Sequence, residues 1–280
     1  MQMQRKEWEF SGTEDAVLFV REWRPLDREV RAVVCLLHGL GEHGDRYGHV
    51  AEHMTEAGFA LIAFDQHGHG RSSGKRGHLL SLEAAASDAA RIIEAAGQRH
   101  PGVPVFLYGH SMGGNVALNC ALRFKPPIRG LILTSPWLRL AFKPNQGMDW
   151  IGRRLVKWMP MLQLQTGLKP EDLFRPGYAK ASPIKDDPFS HTNTTLRTYI
   201  EVGAGGEWAL AHADRLQVPM LLLHGSTDRI TSFEASRQLA DRLGRQCEWR
   251  LWEGGYHELH NDVQGEQAIL EIIDWLERQL

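Results

Sequence analysis

Val103-Pro104-Val105-Phe106-Leu107-Tyr108-Gly109-His110-Ser111-Met112-Gly113 is an apolar run that breaks into a serine flanked by glycines. The run predicts a strand over 103–108, and the apolar spacing beyond it predicts a helix from Met112 to about Phe124. Glycine two positions either side of a serine, at a strand-to-helix turn, is the pattern of a nucleophile elbow. The turn is too tight for side chains at the flanking positions. The serine projects from a strained strand end, and the helix N-terminus behind it favours developing negative charge. In a chain with 28 glycines the pattern alone can arise by chance; the strand before it and the helix after it give it meaning.

Working outward, the same alternation repeats. Residues 7–10 and 16–23, separated by Ser11-Gly12-Thr13-Glu14-Asp15, read as an N-terminal hairpin. Ala32-Val33-Val34-Cys35-Leu36-Leu37 is continuously apolar, as a strand buried on both faces must be. Further strands are expected at 59–64, 130–134, 219–224 and 247–252, with helices at about 46–57, 81–97, 232–243 and 263–279. Such alternation implies an α/β architecture: a mostly parallel, eight-stranded sheet with helices on both faces. The rhythm fails over 136–213, where Pro136, Pro144, Pro160, Pro170, Pro176, Pro183 and Pro188 crowd. One amphipathic helix is expected there at about 147–159, with Ile151, Leu155, Trp158 and Met159 on one side and Arg153, Arg154 and Lys157 on or near the other. The segment reads as an inserted helical cap, and 1–135 with 214–280 as the core domain.

Composition narrows the classes of function. Lys and Arg number 32 against 34 Asp and Glu, a net charge of -2, so no global field attracts nucleic acid or an anionic membrane. No segment is long and apolar enough to cross a bilayer, and the N-terminus lacks the apolar run of a signal peptide. Cys35, Cys120 and Cys247 are odd in number and widely spaced, which suggests reduced thiols and a cytoplasmic location.

If Ser111 is a nucleophile, the chain must supply its partners. In this order of elements the acid follows a late strand and the base follows the last one. Asp228, in His224-Gly225-Ser226-Thr227-Asp228, holds the first place, although an aspartate there also suits a turn or a helix cap. Of the 14 histidines, His257 in Gly254-Gly255-Tyr256-His257 holds the second, with His260 its near rival. Oxyanion donors are expected from the backbone N–H groups of Met112 and of Leu40, in the loop His38-Gly39-Leu40-Gly41-Glu42. Asp65-Gln66-His67-Gly68-His69-Gly70-Arg71-Ser72 could suggest a metal, but no H-E-x-x-H or cysteine pair accompanies it. It reads better as a loop packed beneath the site, so neither metal nor cofactor is expected.

Together these residues resemble the α/β-hydrolase superfamily, and within it the monoacylglycerol lipase and lysophospholipase group, also called serine aminopeptidase-like hydrolases. The segments that carry the likeness are His38 to His43 with Arg46-Tyr47, Asp65 to Ser72, Gly109 to Gly114, Ser135-Pro136 and Tyr256 to Asn261. The resemblance implies the α/β-hydrolase fold and hydrolysis of a monoacylglycerol through an acyl-serine. Lysophospholipase or general short-chain esterase activity is the alternative, and a non-catalytic ligand-binding homologue a remote one. It further implies a glycerol pocket at Glu42, Arg46 and His260, residues that could instead anchor loops. The partner implied is a small lipid ester, with transient membrane-surface contact through the cap.

Overall fold

The computed structural model describes residues 3–143, 146–175 and 187–280. Pro144, Pro176 and Pro183, read above as marks of the insertion, lie outside them. Among the described residues one sheet has eight strands in the order β1-β2-β4-β3-β5-β6-β9-β10. They are β1 (Met3–Ser11), β2 (Val17–Pro25), β3 (Ala32–Leu37), β4 (Phe59–Phe64), β5 (Val105–His110), β6 (Gly130–Thr134), β9 (Met220–Gly225) and β10 (Cys247–Trp252). Only β1–β2 and β2–β4 pair antiparallel; β3–β4, β3–β5, β5–β6, β6–β9 and β9–β10 are parallel. Strand order reverses between β4 and β5, on either side of β3. In open sheets of this kind the ligand crevice lies at the carboxyl ends of the strands beside such a reversal.

Continuous apolar runs are explained by burial on two faces. Val33, Cys35 and Leu37 face one core with α2 (Leu82–Arg99), α3 (Met112–Arg123) and α7 (Phe233–Leu243). The intervening Val34 and Leu36 face another with α1 (Gly48–Glu56) and α8 (Gly265–Gln279). Period-two alternation along a strand with helices above and below leaves no solvated face. Helix starts are chemical: the Ser81 and Ser232 hydroxyls accept from the Ala84 and Ala235 N–H groups, closing the first turns of α2 and α7.

The inserted segment departs from expectation twice. Its amphipathic helix, α4 (Gln146–Leu155), stops short of 159. The Trp158 and Met159 N–H groups both turn back to the Leu155 carbonyl, and Pro160 disfavours helical backbone before it. Trp158 therefore leaves the helix and is 86% exposed. A short α5 (Pro170–Leu173) and a two-stranded ribbon of β7 (Gln163–Gln165) and β8 (Asn193–Thr195) follow.

The second departure is α6 (Leu196–Ala211), a 16-residue helix that the sequence reading missed. Gly203, Gly205 and Gly206 look like helix breakers, yet two of them are packing devices. A Cβ on Gly205 would sit 2.0 Å from Leu82 Cδ2, and one on Gly206 2.0 Å from the Leu138 carbonyl oxygen. The helix thus lies backbone-close on the core, and Ala209, Leu210 and Ala213 belong to the main hydrophobic cluster. Asn115 Nδ2 clamps it further by donating to the Trp137 and Val202 carbonyls at 2.7 and 2.9 Å.

Candidate active site

Ser111 ends β5 and begins α3, with φ 54° and ψ -119°. A non-glycine residue held there stores about 1–3 kcal/mol of backbone strain, tolerated only where the surroundings enforce it. The surroundings do so through the two glycines. A Cβ on Gly109 would meet the Gly113 carbonyl oxygen at 2.5 Å, and one on Gly113 would meet the Leu37 carbonyl oxygen at 2.2 Å. Side chains at either position would push α3 off the sheet.

Loops from three strand ends converge on this serine. His257, beyond β10, approaches Ser111 Oγ with Nε2 at 2.9 Å and Asp228 Oδ2 with Nδ1 at 2.7 Å. A carboxylate only accepts, so Nδ1 carries the hydrogen and Nε2 is left free to take the serine proton. All three side chains are buried. Burial works against the imidazolium, but the Asp228 charge outweighs it and holds the His257 pKa above its usual 6.5. Burial likewise opposes the Asp228 carboxylate; the His257 charge and the His224 and His257 hydrogen bonds outweigh that and hold its pKa well below the usual range.

Asp228 is both the turn aspartate and the partner of His257. Its Oδ1 accepts from the Ile230 and Thr231 N–H groups at 2.8 and 3.0 Å, while Oδ2 faces His257. Two residues missed in the sequence complete its shell. Thr231 Oγ1 donates to Oδ2 at 2.8 Å, and His224 Nε2 lies 3.1 Å away. An aspartate three residues before a threonine was the available signal for Thr231. His224 carried none, since it reads as the end of a buried strand.

The loop after β3 lies against the serine. A Cβ on Gly39 would be 3.1 Å from Ser111 Cβ, so the backbone of residues 39–40 runs beside the nucleophile. The Met112 amide belongs to the first turn of α3, whose N–H groups have no helical partner. Leu40 follows Gly39 and lines the cavity. Beneath the loop, Gln66 donates to the His38 carbonyl at 2.6 Å. Asp65 is paired with Arg21 at 2.5 Å and takes the Gly44 N–H at 2.9 Å. The 65–72 stretch is thus scaffolding. Among the described residues no group of three or more His, Cys, Asp or Glu is placed to hold a metal ion.

A cavity of about 570 Å³ opens above the serine. Leu140, Ile151, Leu155, Leu164, Leu196 and Tyr199 line its apolar length, which runs under the inserted segment. The three residues expected at a glycerol pocket divide. Glu42 lines the cavity, while Arg46 and His260 are buried behind its wall. Arg46 reaches Glu42 at 3.3 Å and Glu258 at 3.1 Å, tying the two carboxylates together. His260 stacks on Tyr47 at 4.8 Å and meets His110 edge-on at 5.0 Å. Glu258, overlooked in the sequence because it adjoins the more conspicuous His257, is the second acid on the cavity wall.

Sheet order, elbow and converging loops define the α/β-hydrolase fold. The sequence pattern of the Hydrolase_4 family, described as serine aminopeptidase, S33, matches residues 28–264. The chain belongs to that family and is a hydrolase. It is 35% identical over 94% of its length to an uncharacterized abhydrolase domain-containing protein of Dictyostelium discoideum, and spans 28% of that longer protein. It is 29% identical to a monoacylglycerol lipase of Mycolicibacterium smegmatis, over 97% of both chains. Among solved structures, the monoacylglycerol lipase of Paleococcus ferrophilus matches with a TM-score of 0.80 and 32% identity, covering 100% of both chains.

Proposed function

We propose that this protein hydrolyses monoacylglycerols to fatty acid and glycerol through an acyl-serine at Ser111. The observation that carries the proposal is the Ser111–His257–Asp228 relay at one end of a long apolar cavity, with hydrogen bonds of 2.9 and 2.7 Å. His257 Nε2 takes the Ser111 proton as Oγ attacks the ester carbonyl, and the Leu40 and Met112 N–H groups hold the oxyanion. The imidazolium returns its proton to the departing alcohol oxygen. Water, deprotonated by the same imidazole, then releases the acid. The apolar cavity suits an acyl chain, and its acidic end suits glycerol hydroxyls. The relatives from Mycolicibacterium smegmatis and Paleococcus ferrophilus, both named monoacylglycerol lipases, support the substrate class.

The segment 136–213 acts in this reading as a lid over the core formed by 1–135 and 214–280. Its outer side carries exposed Trp150, Trp158 and Met161 beside Arg153, Arg154 and Lys157, a combination suited to transient contact with a lipid surface. No described helix is long and apolar enough to cross a membrane. Three unpaired cysteines suit a reducing, cytoplasmic setting.

The test is a matched panel of initial rates on monoacylglycerols of several chain lengths, lysophosphatidylcholine and p-nitrophenyl esters. Strong preference for monoacylglycerol, abolished in Ser111→Ala, is the expected result. Comparable rates on all esters would leave a general esterase, and preference for the lysolipid a lysophospholipase.

A further inference from the structure

The alcohol end of the cavity has an unusual charge make-up. Among the described residues the lining of the whole cavity includes Glu42, Glu258 and Asp149 but no lysine or arginine. Asp149 has its own partner, Arg153, at 2.8 Å. Glu42 and Glu258 sit beside the reacting groups. Gly39 lies between Glu42 Oε1 and Ser111 Cβ, and Glu258 adjoins His257 in the chain. The nearest guanidinium, that of Arg46, is shared between the two carboxylates from behind and does not line the cavity. Glu42 also takes the Gly39 N–H and, at 2.9 Å, the Tyr47 hydroxyl. Glu258 takes the Asn261 amide at 2.6 Å. Both side chains are thereby fixed in place.

Resting on the esterase reading above, we propose that Glu258, together with Glu42, forms an acidic wall that admits an uncharged polyol leaving group and excludes one bearing a phosphate. A carboxylate only accepts hydrogen bonds. Glycerol hydroxyls supply the donors it needs, whereas a phosphodiester brings a negative charge and no proton. With both ionised, two carboxylates against one shared guanidinium leave the wall net negative, and burial strengthens the repulsion because the local dielectric is low. Burial, and then the Glu258 charge, also push the Glu42 carboxyl above its usual range. The two acids therefore act on each other as well as on a ligand. The other titratable groups around this end are Tyr47, which burial holds well above its usual pKa, His110 and His260, which burial holds well below theirs, and His257 with Asp228.

The test uses competitive inhibition, so that it reads binding apart from catalysis. A monoalkylglycerol ether, which cannot be hydrolysed, is compared with its methyl phosphodiester of equal chain length. Both are measured against wild type, Glu258→Gln and Glu258→Asp at about pH 8.5, above the range to which Glu42 is raised. In Glu258→Gln the ratio of inhibition constants, phosphodiester over neutral ether, is expected to fall about ten-fold or more. In Glu258→Asp, which keeps the charge, it should stay near the wild-type value. A role limited to holding Arg46 would move both constants together. If Glu258→Gln does not fold, Glu42→Gln carries the test at the same pH: its ratio should likewise fall. A ratio unchanged in Glu258→Gln, or in Glu42→Gln where only that variant can be read, overturns the acidic wall. Loss of monoacylglycerol turnover in the wild type would instead overturn the esterase reading on which it rests.

Discussion

The sheet around the elbow and the outer face of the inserted segment treat glycine and large apolar residues in opposite ways. In the core, Gly109 and Gly113 stand where a Cβ would strike backbone, and large apolar side chains such as Trp23, Phe106 and Trp275 are buried. In the insertion, Gly203 has nothing within 4 Å of where its Cβ would lie, and Phe142, Trp150 and Trp158 are exposed. The core is built to hold a strained serine; the insertion covers a cavity and leaves apolar surface unspent. The difference teaches that the chemistry should be intolerant of change on one side and the stability tolerant of it on the other.

The largest effect should come from the core. Ser111→Ala should lower turnover by about six orders of magnitude, the loss found when a serine hydrolase loses its nucleophile. Asp228→Asn should cost about four orders of magnitude in kcat, because an amide can donate to Nδ1 and select the wrong tautomer. Turnover within ten-fold of wild type in either variant would break the division of labour.

Glycine substitution sharpens the contrast. Gly113→Ala should destabilise by about 3 kcal/mol in a denaturant melt, since a Cβ 2.2 Å from the Leu37 carbonyl oxygen must displace backbone. Gly203→Ala, in the interior of α6, should stabilise by about 0.5–1 kcal/mol, because helix propensity rises with no steric cost. Equal effects at the two positions would erase the difference between the regions.

Acidity offers a finer test. The general base must be neutral, and Asp228 raises the folded pKa of His257 above 6.5. The rate, kcat/KM, should therefore fall as pH drops, with its midpoint above 6.5. A profile flat from about pH 8 to 6 would contradict the Asp228–His257 coupling. The smallest effect should be at the exposed surface around Trp158. Trp158→Ala, at an 86% exposed position, should change stability by less than about 0.5 kcal/mol while weakening sedimentation with vesicles. A large stability loss would mean the tryptophan is packed rather than presented.

Legibility followed the same divide. Strands 32–37 and 59–64 were readable because a two-faced sheet demands unbroken apolar runs, and the elbow because only glycine fits at its flanks. The missed helix α6 was hidden by Gly205 and Gly206, whose reason is a partner far away in sequence. His224 and Glu258 were hidden for a related cause. Glu258 stands next to the conspicuous His257 and His224 ends a buried strand, and only the fold brings them against the cavity and Asp228. Arg46 and His260 were found by resemblance, and both are buried behind the cavity wall.

The central claim is that Ser111, activated by His257, becomes acylated. Treating the protein with a fluorophosphonate and locating the adduct by peptide mass spectrometry tests it most directly. The account predicts a single adduct on the peptide containing Ser111, absent from His257→Ala. Failure of the wild type to label, or an adduct on another residue, would contradict it.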